Sequence, residues 1–564
     1  MAPPVISNLS IFLTVTVVAT FITVLVGISI LGIRSQDAKD SLDRLEETSI
    51  SVFLNDSCTT DRFVNARRAE AYQLRVLRAY DHYATPVPCS LNNGDEALYA
   101  PVYFASFSKG MLHDSLGHVV PSYYQTLLNA VNTRTPSAFD AVLQAPGAVR
   151  DFTNPQAGMA FVLQGADPQS LGVPPAPKFD SAEQAGEAIE QYWMAYTRDV
   201  NFADYATDPK TLAAVAELNT LSDYRGVTPV TPNNLFRGLS QGCLDGPYLS
   251  QFFYIPCVFG ANIIDQRINP PVAGVDFMTN FSTYLAQQNA QPPEGTITYT
   301  GVPRHMINAR DIAHWVHIDV LFQAYFQAML CLLHMNAPLK PGIPYQVTEL
   351  NQMGFSTFGG PDIAAISTIG ATTALKTAWF GKWLQHRRLR PEVFAARIHN
   401  HLTSAYTYPI HSDALGASIL GIIYAQHGSY LLPQAYPEGS PLHPSFPAGH
   451  QTVGGTCVTL LKAFFQEDYV IPNPLMPNPS DGGQTVIPLS PPVSLTVGGE
   501  LNKLANNVGI ARNLGGVHWR SDATSSLKLG EQVAIQILKD LKATYPESFL
   551  GFSFTDFDGN VQNV

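Results

Sequence analysis

The chain has 564 residues, of which 46% are apolar and only 14% carry a charge. This composition is typical of proteins with large cores and excludes extended disorder, and at about 150 residues per domain the length allows three or four domains. The 33 basic and 45 acidic residues give a net charge of −12, which excludes a general electrostatic surface for nucleic acid. We therefore expect no nucleic-acid partner.

The first segment is the uncharged, mostly apolar run Ile11 to Ile33, which ends just before the first charge at Arg34. As a helix it would reach about 34 Å, enough for a bilayer core of about 30 Å. Because residues 1–10 carry no Lys or Arg, the run favours a membrane anchor over a cleaved export signal or a buried helix. We expect residues 1–34 to anchor the protein in a membrane, or to direct secretion if they are cleaved.

Behind this segment the apolar spacing predicts a mainly α protein made of helical bundles, long loops and minor β-hairpins. We divide it into an N-terminal helical region, 35–300, and a C-terminal helical-bundle region, 301–564. The predicted helices are Ser41–Tyr83, Phe179–Leu221 with a break at Asp199–Asp208, Asn308–Met335, Ile363–Leu389, His450–Phe465 and Ser521–Tyr545. A proline-rich loop is predicted over Tyr469–Glu500, and hairpins are predicted near Thr296–Thr300 and Gly551–Val561.

The common metalloprotease, nucleotide-binding and dithiol motifs are missing from the sequence, and its one GxSxG match, Gly238–Gly242, is attributed to chance in a loop. It contains no HExxH, Walker or GxGxxG motif and no CxxC pair. Cys331 and Cys457 lie in apolar helical stretches and are predicted to be inert core residues. The remaining cysteines could form one or two bridges in an exported chain: Cys58, Cys89, Cys243 and Cys257. His314 and His317 have no third ligand nearby in sequence, which favours core histidines over a metal site.

Three segments of the C-terminal third combine cations, histidines and helix ends. The first runs from Lys382 to Arg390 and is followed by Pro391, which disfavours helical conformation at Arg390. The second is His443–His450, read His-Pro-Ser-Phe-Pro-Ala-Gly-His, at the start of a predicted helix whose free N–H groups can bind an anion. The third, Arg512–Asp522, contains a Gly-Gly turn between two helices. Together the cations, histidines and N–H groups of these segments are suited to bind a highly charged oxyanion.

These segments resemble the three-part motif shared by vanadium-dependent haloperoxidases and type 2 phosphatidic acid phosphatases: Lys…Arg-Pro, Pro-Ser-Gly-His and Arg-x5-His. The spacing from Lys382 to Arg390 and the His443–His450 string are similar to the red-algal and cyanobacterial bromoperoxidases. Asn93–Glu96 and Ser106–Gly110 also resemble the N-terminal half of that branch. The match covers roughly residues 60–550, and it implies a haloperoxidase-like helical-bundle fold.

The resemblance implies that the C-terminal region binds one vanadate per subunit. His518 would be the single protein ligand of the metal. The equatorial oxygens would be neutralised by Lys382, Arg390, Arg512 and the backbone N–H of Gly449. A structural cation is a further possibility of the family, for which the sequence indicates no residues.

The implied reaction is the oxidation of a halide by hydrogen peroxide to hypohalous acid, which then halogenates small organic acceptors. Lys382 would polarise the peroxide, and His450 would be the acid–base partner of the apical oxygen. His443 would tune His450 and the approach of the halide. The resemblance also implies a homodimer or a higher homo-oligomer.

Two positions make the resemblance imperfect. Ala448 stands where the family usually has serine, so one hydroxyl beside the anion is missing. His443 is the bromoperoxidase-like residue, whereas Trp379 resembles the aromatic residue found in chloroperoxidases. Bromide and iodide are the halides that we expect.

Two other functions remain open from the sequence. The same cradle suits phosphate, so the protein could be an acid phosphatase with a phosphohistidine at His518 and with His450 protonating the leaving oxygen. Alternatively, Ala448 could mark a catalytically decayed site in a scaffold protein.

Overall fold

The computed structural model describes residues 62–88, 90–346 and 351–564. The chain divides into two compact units, one that ends at Leu77 and a second that covers Arg78–Val564. The predicted anchor over residues 1–34, the start of the predicted helix Ser41–Tyr83, and the thiols of Cys58 and Cys89 lie outside the described residues. The predicted boundary between residues 300 and 301 stays a prediction.

The described residues are mainly helical, with small hairpins between the helices. The helices are α1 Arg62–Ala84, α2 Asp95–Leu98, α3 Pro121–Thr133, α4 Pro136–Asp140, α5 Ala182–Tyr196, α6 Pro209–Leu218, α7 Phe281–Gln288, α8 Ala309–Ile318, α9 Gln323–His334, α10 Gly360–Phe380, α11 Pro391–Leu402, α12 Ser412–Leu415, α13 Ser418–His427, α14 Gly449–Phe464, α15 Val497–Leu514 and α16 Arg520–Thr544. The strands pair antiparallel as β1 Cys257–Phe259 with β2 Asn262–Ile264, β3 Leu475–Pro477 with β4 Val486–Pro488, and β5 Ser553–Thr555 with β6 Val561–Asn563.

Helix α14 is the centre of the C-terminal bundle. All of its residues except His450 are buried, and it packs against α10, α15 and α16. Helix α15 is buried on nearly every face, as expected for a helix enclosed by others. The first turns of α14 and α16 and the segment after α10 therefore meet inside the protein.

The predicted helix Asn308–Met335 is wrong as a single element. It is divided into α8 and α9, whose axes bend by 100°. The chain leaves the helical conformation at Asp319, which has φ −64° and ψ 150°. Its carboxylate lies 3.0 Å from the Nε2 atom of His450. At this residue the chain makes a tertiary contact instead of continuing the helix. Within the described residues, only this bent pair combines the length and apolar composition of a membrane span, and no single helix does so.

The predicted helix Ile363–Leu389 also changes character before its end. Helix α10 stops at Phe380 and continues as a π-helical segment, Gly381–His386, before Arg387 adopts a left-handed conformation at φ 42°. Such π-helical turns are rare overall, and those that occur are often found at functional sites. The segment contains Lys382.

Other predicted elements have mixed outcomes. The break within Phe179–Leu221 is confirmed by α5 and α6, and the hairpin near Gly551–Val561 is confirmed by β5 and β6. The predicted hairpin at Thr296–Thr300 is only an isolated bridge to Pro270–Val272, because prolines there lack the N–H groups of a ladder.

The described cysteines are buried free thiols, which confirms the prediction for Cys331 and Cys457 and corrects the suggested bridges of Cys243 and Cys257.

Candidate active site

Lys382 and Arg390 enter the protein interior from the segment between α10 and α11. Neither side chain has exposed surface. The Nζ atom of Lys382 donates to the backbone carbonyls of Pro444 and Ser445, at 2.7 and 2.8 Å. Arg390 precedes Pro391 with ψ 159°, which confirms that the chain turns away there.

The guanidinium of Arg390 joins two of the predicted histidines. Its Nη1 atom lies 2.9 Å from His518 Nε2, and its Nη2 atom lies 3.0 Å from His443 Nδ1. It also donates to the carbonyls of His443 and Val517. Every one of these acceptors is neutral, so Arg390 keeps its full positive charge inside the site.

Arg512 is buried near the end of α15. Its Nη1 atom donates to the carbonyl of Val316 at 2.9 Å, and its guanidinium lies over the ring of Tyr436 at 5.5 Å. Its buried Nε atom has no hydrogen-bond partner among the described residues. A buried donor of this kind is costly unless a ligand accepts from it.

His518 follows the Gly-Gly turn between α15 and α16. Gly516 has φ +87°, and a Cβ atom there would lie 2.8 Å from the side chain of Gln434, so the turn needs glycine. The Nδ1 atom of His518 lies 2.8 Å from the carboxylate of Asp522. The carboxylate holds the proton on Nδ1, which leaves the lone pair on Nε2 toward the cations.

Asp522 is itself held by a buried arginine. Arg388 donates to Asp522 and Glu187, at 2.7 and 2.8 Å, and all three side chains are almost completely buried. It also donates to Ser521 and lies over the ring of Trp519. These contacts fix the orientation of the His518 ring from behind.

The first turn of α14 presents backbone donors to the same space. Gly449 is its first residue, and the N–H groups of a first helical turn have no acceptor within the helix. A Cβ atom at Gly449 would lie 3.0 Å from Trp379, so any larger residue would push against the indole. The N–H of Ala448 donates to Ser526 Oγ at 2.8 Å.

His443 and His450 have different partners. His450 Nε2 lies 3.0 Å from Asp319, whereas His443 is bonded to Arg390 and its ring centroid lies 4.8 Å from that of Trp379. No hydrogen bond joins the two histidines among the described residues. The described residues therefore show no direct contact through which the predicted tuning of His450 by His443 could act.

Burial and like charge dominate the electrostatics of the site. Burial, with Arg390 close by, lowers the pKa of Lys382 well below 10.5. Burial and the same arginine lower the pKa of His518 well below 6.5, so its ring is neutral at neutral pH. In the described part of the chain, no carboxylate forms an ion pair with Lys382, Arg390 or Arg512. The donor set therefore fits a multiply charged oxyanion bound beside His518 Nε2.

Sequence reasoning missed Asp319, Asp522 and Arg388. Asp522 could have been found as an acid in the first turn of the predicted helix that follows His518. Asp319 is one of two acids in the mostly apolar predicted helix Asn308–Met335, which was a weaker signal. The partners of Arg388 are distant in sequence and could not be inferred. For the suggested structural cation, no group of three His, Cys, Asp or Glu side chains forms a metal site within 62–88, 90–346 and 351–564.

Comparisons with known proteins identify the family. The vanadium-dependent bromoperoxidase of Corallina officinalis is 33% identical over 595 aligned residues, which cover 89% of this chain and 99% of the relative. The chain belongs to the vanadium-dependent bromoperoxidase family. The bromoperoxidase of Ascophyllum nodosum is 31% identical, over 88% of this chain and 92% of its own length.

Two further matches agree with this family. A model described as the second helical-bundle domain of VCPO matches residues 363–546, the part of the chain that holds all the cations of the site. The solved homohexameric structure of the second vanadate-dependent bromoperoxidase (AnII) from Ascophyllum nodosum superposes with a TM-score of 0.81 at 28% identity, covering 90% of this chain and 93% of that one. The fold is thus that of the bromoperoxidases.

Proposed function

We propose that this protein is a vanadium-dependent haloperoxidase that oxidises bromide and iodide with hydrogen peroxide to hypohalous acid, which halogenates small organic acceptors. One observation carries the proposal: three buried cations lie on the Nε2 side of His518, where Arg390 contacts Nε2, and no carboxylate of the described residues is paired with any of them. Family membership and the fold support the same activity.

Vanadate, when bound, supplies a Lewis acid that activates peroxide without a change in oxidation state. His518 would hold the metal through Nε2, because Asp522 keeps the proton on the other ring nitrogen. Lys382, Arg390, Arg512 and the N–H of Gly449 would neutralise the oxygens of the anion. Lys382 also carries the positive charge that polarises peroxide.

His450, held by Asp319, is the proposed acid–base residue. Burial lowers the pKa of His450 although Asp319 acts to raise it, so the ring is a neutral proton acceptor at neutral pH. Once the ring takes a proton from peroxide, the carboxylate of Asp319 at 3.0 Å stabilises the imidazolium. His450 can then return that proton to the leaving oxygen.

His443 and Trp379 are the proposed halide-tuning residues. The polar His443 ring lies against the indole of Trp379, and both stand beside Lys382, whose Nζ atom is 5.7 Å from the indole. Chloride is more strongly hydrated than bromide, so a partly polar pocket should disfavour it. We expect His443→Phe to raise the ratio of chlorination to bromination, measured with monochlorodimedone. An unchanged ratio would remove His443 from this role.

Assembly and location are proposals that rest on other grounds. The homohexameric AnII structure supports a homodimer or a higher homo-oligomer for this protein. The apolar run over residues 11–33 supports membrane attachment, or export if the run is removed.

The test of the proposed function is bromination of monochlorodimedone with peroxide and bromide, with and without orthovanadate. We expect the wild type to brominate only when vanadate is present. We expect His518→Ala to lose both this activity and stoichiometric vanadate binding. Hydrolysis of a chromogenic phosphate ester without vanadate would instead support the phosphatase. If the protein shows neither activity, that result would support a decayed scaffold, although the cations of the site are all in place.

A further inference from the structure

A cavity of about 390 Å³ lies next to the active site and shares Asp319 with it. Residues from α8, the α8–α9 break, α9 and two loops form its wall. The residues that the argument uses are Asp265, Arg267, Tyr299, His314, Trp315 and Ile318. Since Asp319 also contacts His450, a ligand in this cavity would be separated from the His450 ring by Asp319 alone.

Two buried polar groups of this wall lack partners. Asp319 uses one carboxylate oxygen for His450, and its other oxygen, Oδ2, is buried without a hydrogen bond among the described residues. His314 is 4% exposed and its Nδ1 atom is likewise unpaired. Burial lowers the pKa of His314 to about 4, so the ring is neutral at neutral pH. The Asp319 oxygen is an acceptor, and His314 Nδ1 is an acceptor in one tautomer of the neutral ring, so both can receive a hydrogen bond from a ligand.

Both α8 histidines were predicted to be core residues, but the structure gives them different surroundings. His317 lies with its Nε2 atom 2.5 Å from Glu438 and stacks on Tyr436, while its Nδ1 atom is also unpaired among the described residues. His314 faces the ring of Tyr299 edge-on, with the centroids 5.2 Å apart, and belongs to the cavity wall.

The charge of the cavity disfavours an anion. Arg267 is neutralised by Asp265, to which it donates three hydrogen bonds through its guanidinium. The carboxylate of Asp319 then leaves the wall with a negative charge. A carboxylate-bearing ligand would be repelled, whereas a neutral ligand with an O–H or N–H group would not.

The rest of the wall is suited to a ring. Tyr299 and Trp315 contribute aromatic surfaces, and Ile318 contributes an aliphatic side chain that is 67% exposed. Apolar walls with a few polar groups are typical of small-molecule sites. The volume is large enough for one or two fused rings.

We propose that this cavity binds the organic acceptor, a neutral electron-rich aromatic such as a phenol or an indole, with its O–H or N–H directed at Asp319 or His314. This inference rests on the proposed function, which supplies hypobromous acid beside the cavity. A ring carbon attacks bromine, the C–Br bond forms and the Br–O bond breaks. The hydroxide that leaves combines with the proton lost from the same ring carbon, so the products are the bromoarene and water.

Binding can be tested without turnover. We would titrate the vanadate-loaded protein with 2-naphthol by calorimetry, in the absence of peroxide and bromide. We expect saturable 1:1 binding, no binding of the matched anion 2-naphthoate, and at least tenfold weaker binding in Ile318→Trp, which fills the cavity, and in His314→Phe. The control Ile263→Trp, at a residue 78% exposed on β2 and outside the cavity, should bind as the wild type does.

Turnover provides the second measurement. We expect the wild type to brominate phenol with an ortho-to-para ratio different from that of reagent hypobromous acid, and Ile318→Trp to give the reagent ratio. Tribromide formation without an acceptor should be unchanged in Ile318→Trp. Absence of 2-naphthol binding, or a wild-type ratio equal to that of the reagent, would overturn the proposal. A fall in tribromide formation would also overturn it, because the cavity would then be the route of peroxide or halide. The calorimetric result does not depend on activity, so it remains informative if the haloperoxidase proposal fails.

Discussion

Buried cations occupy two neighbouring regions of this protein, and the regions differ in how the charge is balanced. In the anion cradle, formed by Lys382, Arg390, Arg512, Gly449 and His518, none of the three cations forms an ion pair with a carboxylate of the described residues. In the scaffold network behind it, Arg388 is paired with Asp522 and Glu187, and Arg520 is paired with Glu190. The difference separates the groups that we propose to bind the anion from the groups that hold those side chains in place.

The two regions also shift arginine pKa values in opposite directions. Burial lowers the pKa of Arg390 to about 9 in spite of the nearby Asp522. Burial acts in the same direction on Arg388, but Asp522 and Glu187 outweigh it and raise the pKa of Arg388. Charge that the fold leaves uncompensated is available to attract an anion, at a cost to the stability of the anion-free protein.

The largest effect is expected when the scaffold network is broken. Arg388→Met would leave the carboxylates of Asp522 and Glu187 buried and unpaired, and we expect a loss of about 3–5 kcal/mol in the free energy of unfolding. Denaturant titration measures this. The control is Arg225→Met, whose 56% exposed side chain pairs with Asp223 and should contribute at most about 1 kcal/mol. Equal losses in the two variants would show that Arg388 carries no special structural role.

A smaller effect is expected in the protonation of Lys382. Because burial lowers its pKa, the anion-free ammonium loses its proton at a pH below 10.5, and a bound anion restores it. Vanadate binding in that pH window should therefore take up more protons in the wild type than in Lys382→Met, by up to one. Calorimetry in two buffers with different ionisation enthalpies measures the uptake. Identical uptake would place Lys382 outside the cradle.

The smallest effect is expected at Ala448. Ala448→Ser adds one hydroxyl beside the proposed anion, and a hydrogen bond of about 1.5 kcal/mol would tighten vanadate binding roughly tenfold. Equilibrium dialysis compares the two affinities. Unchanged affinity would mean that the Gly449 N–H and the cations already satisfy the anion.

The sequence is most informative where chemistry depends on short-range order. Arg390 before Pro391, the helix start at Gly449 and the turn before His518 follow from local rules, and the resemblance to a family brings these segments together. The structure places them around one buried space, whereas their catalytic roles stay proposals.

The missed features depend on tertiary contacts. The break at Asp319 was not predictable from helix periodicity, because the contact that favours it is made with His450, 131 residues later. The π-helical turn at Lys382 likewise follows no local sequence signal that we recognise. The carboxylates that pair with Arg388 lie 134 and 201 residues away in sequence.

The most direct test of the uncompensated cradle is the free energy of unfolding of Arg512→Met, measured without vanadate and at saturating orthovanadate. Among the described residues Arg512 has a single backbone acceptor and an unpaired Nε atom, so without vanadate we expect the variant to be within about 1 kcal/mol of the wild type or more stable. At a vanadate concentration of 100 times the wild-type dissociation constant, vanadate should stabilise the wild type by about 2.7 kcal/mol. The same concentration should stabilise the variant by less. A loss of about 3–5 kcal/mol in the vanadate-free variant, as expected for Arg388→Met, would contradict the account.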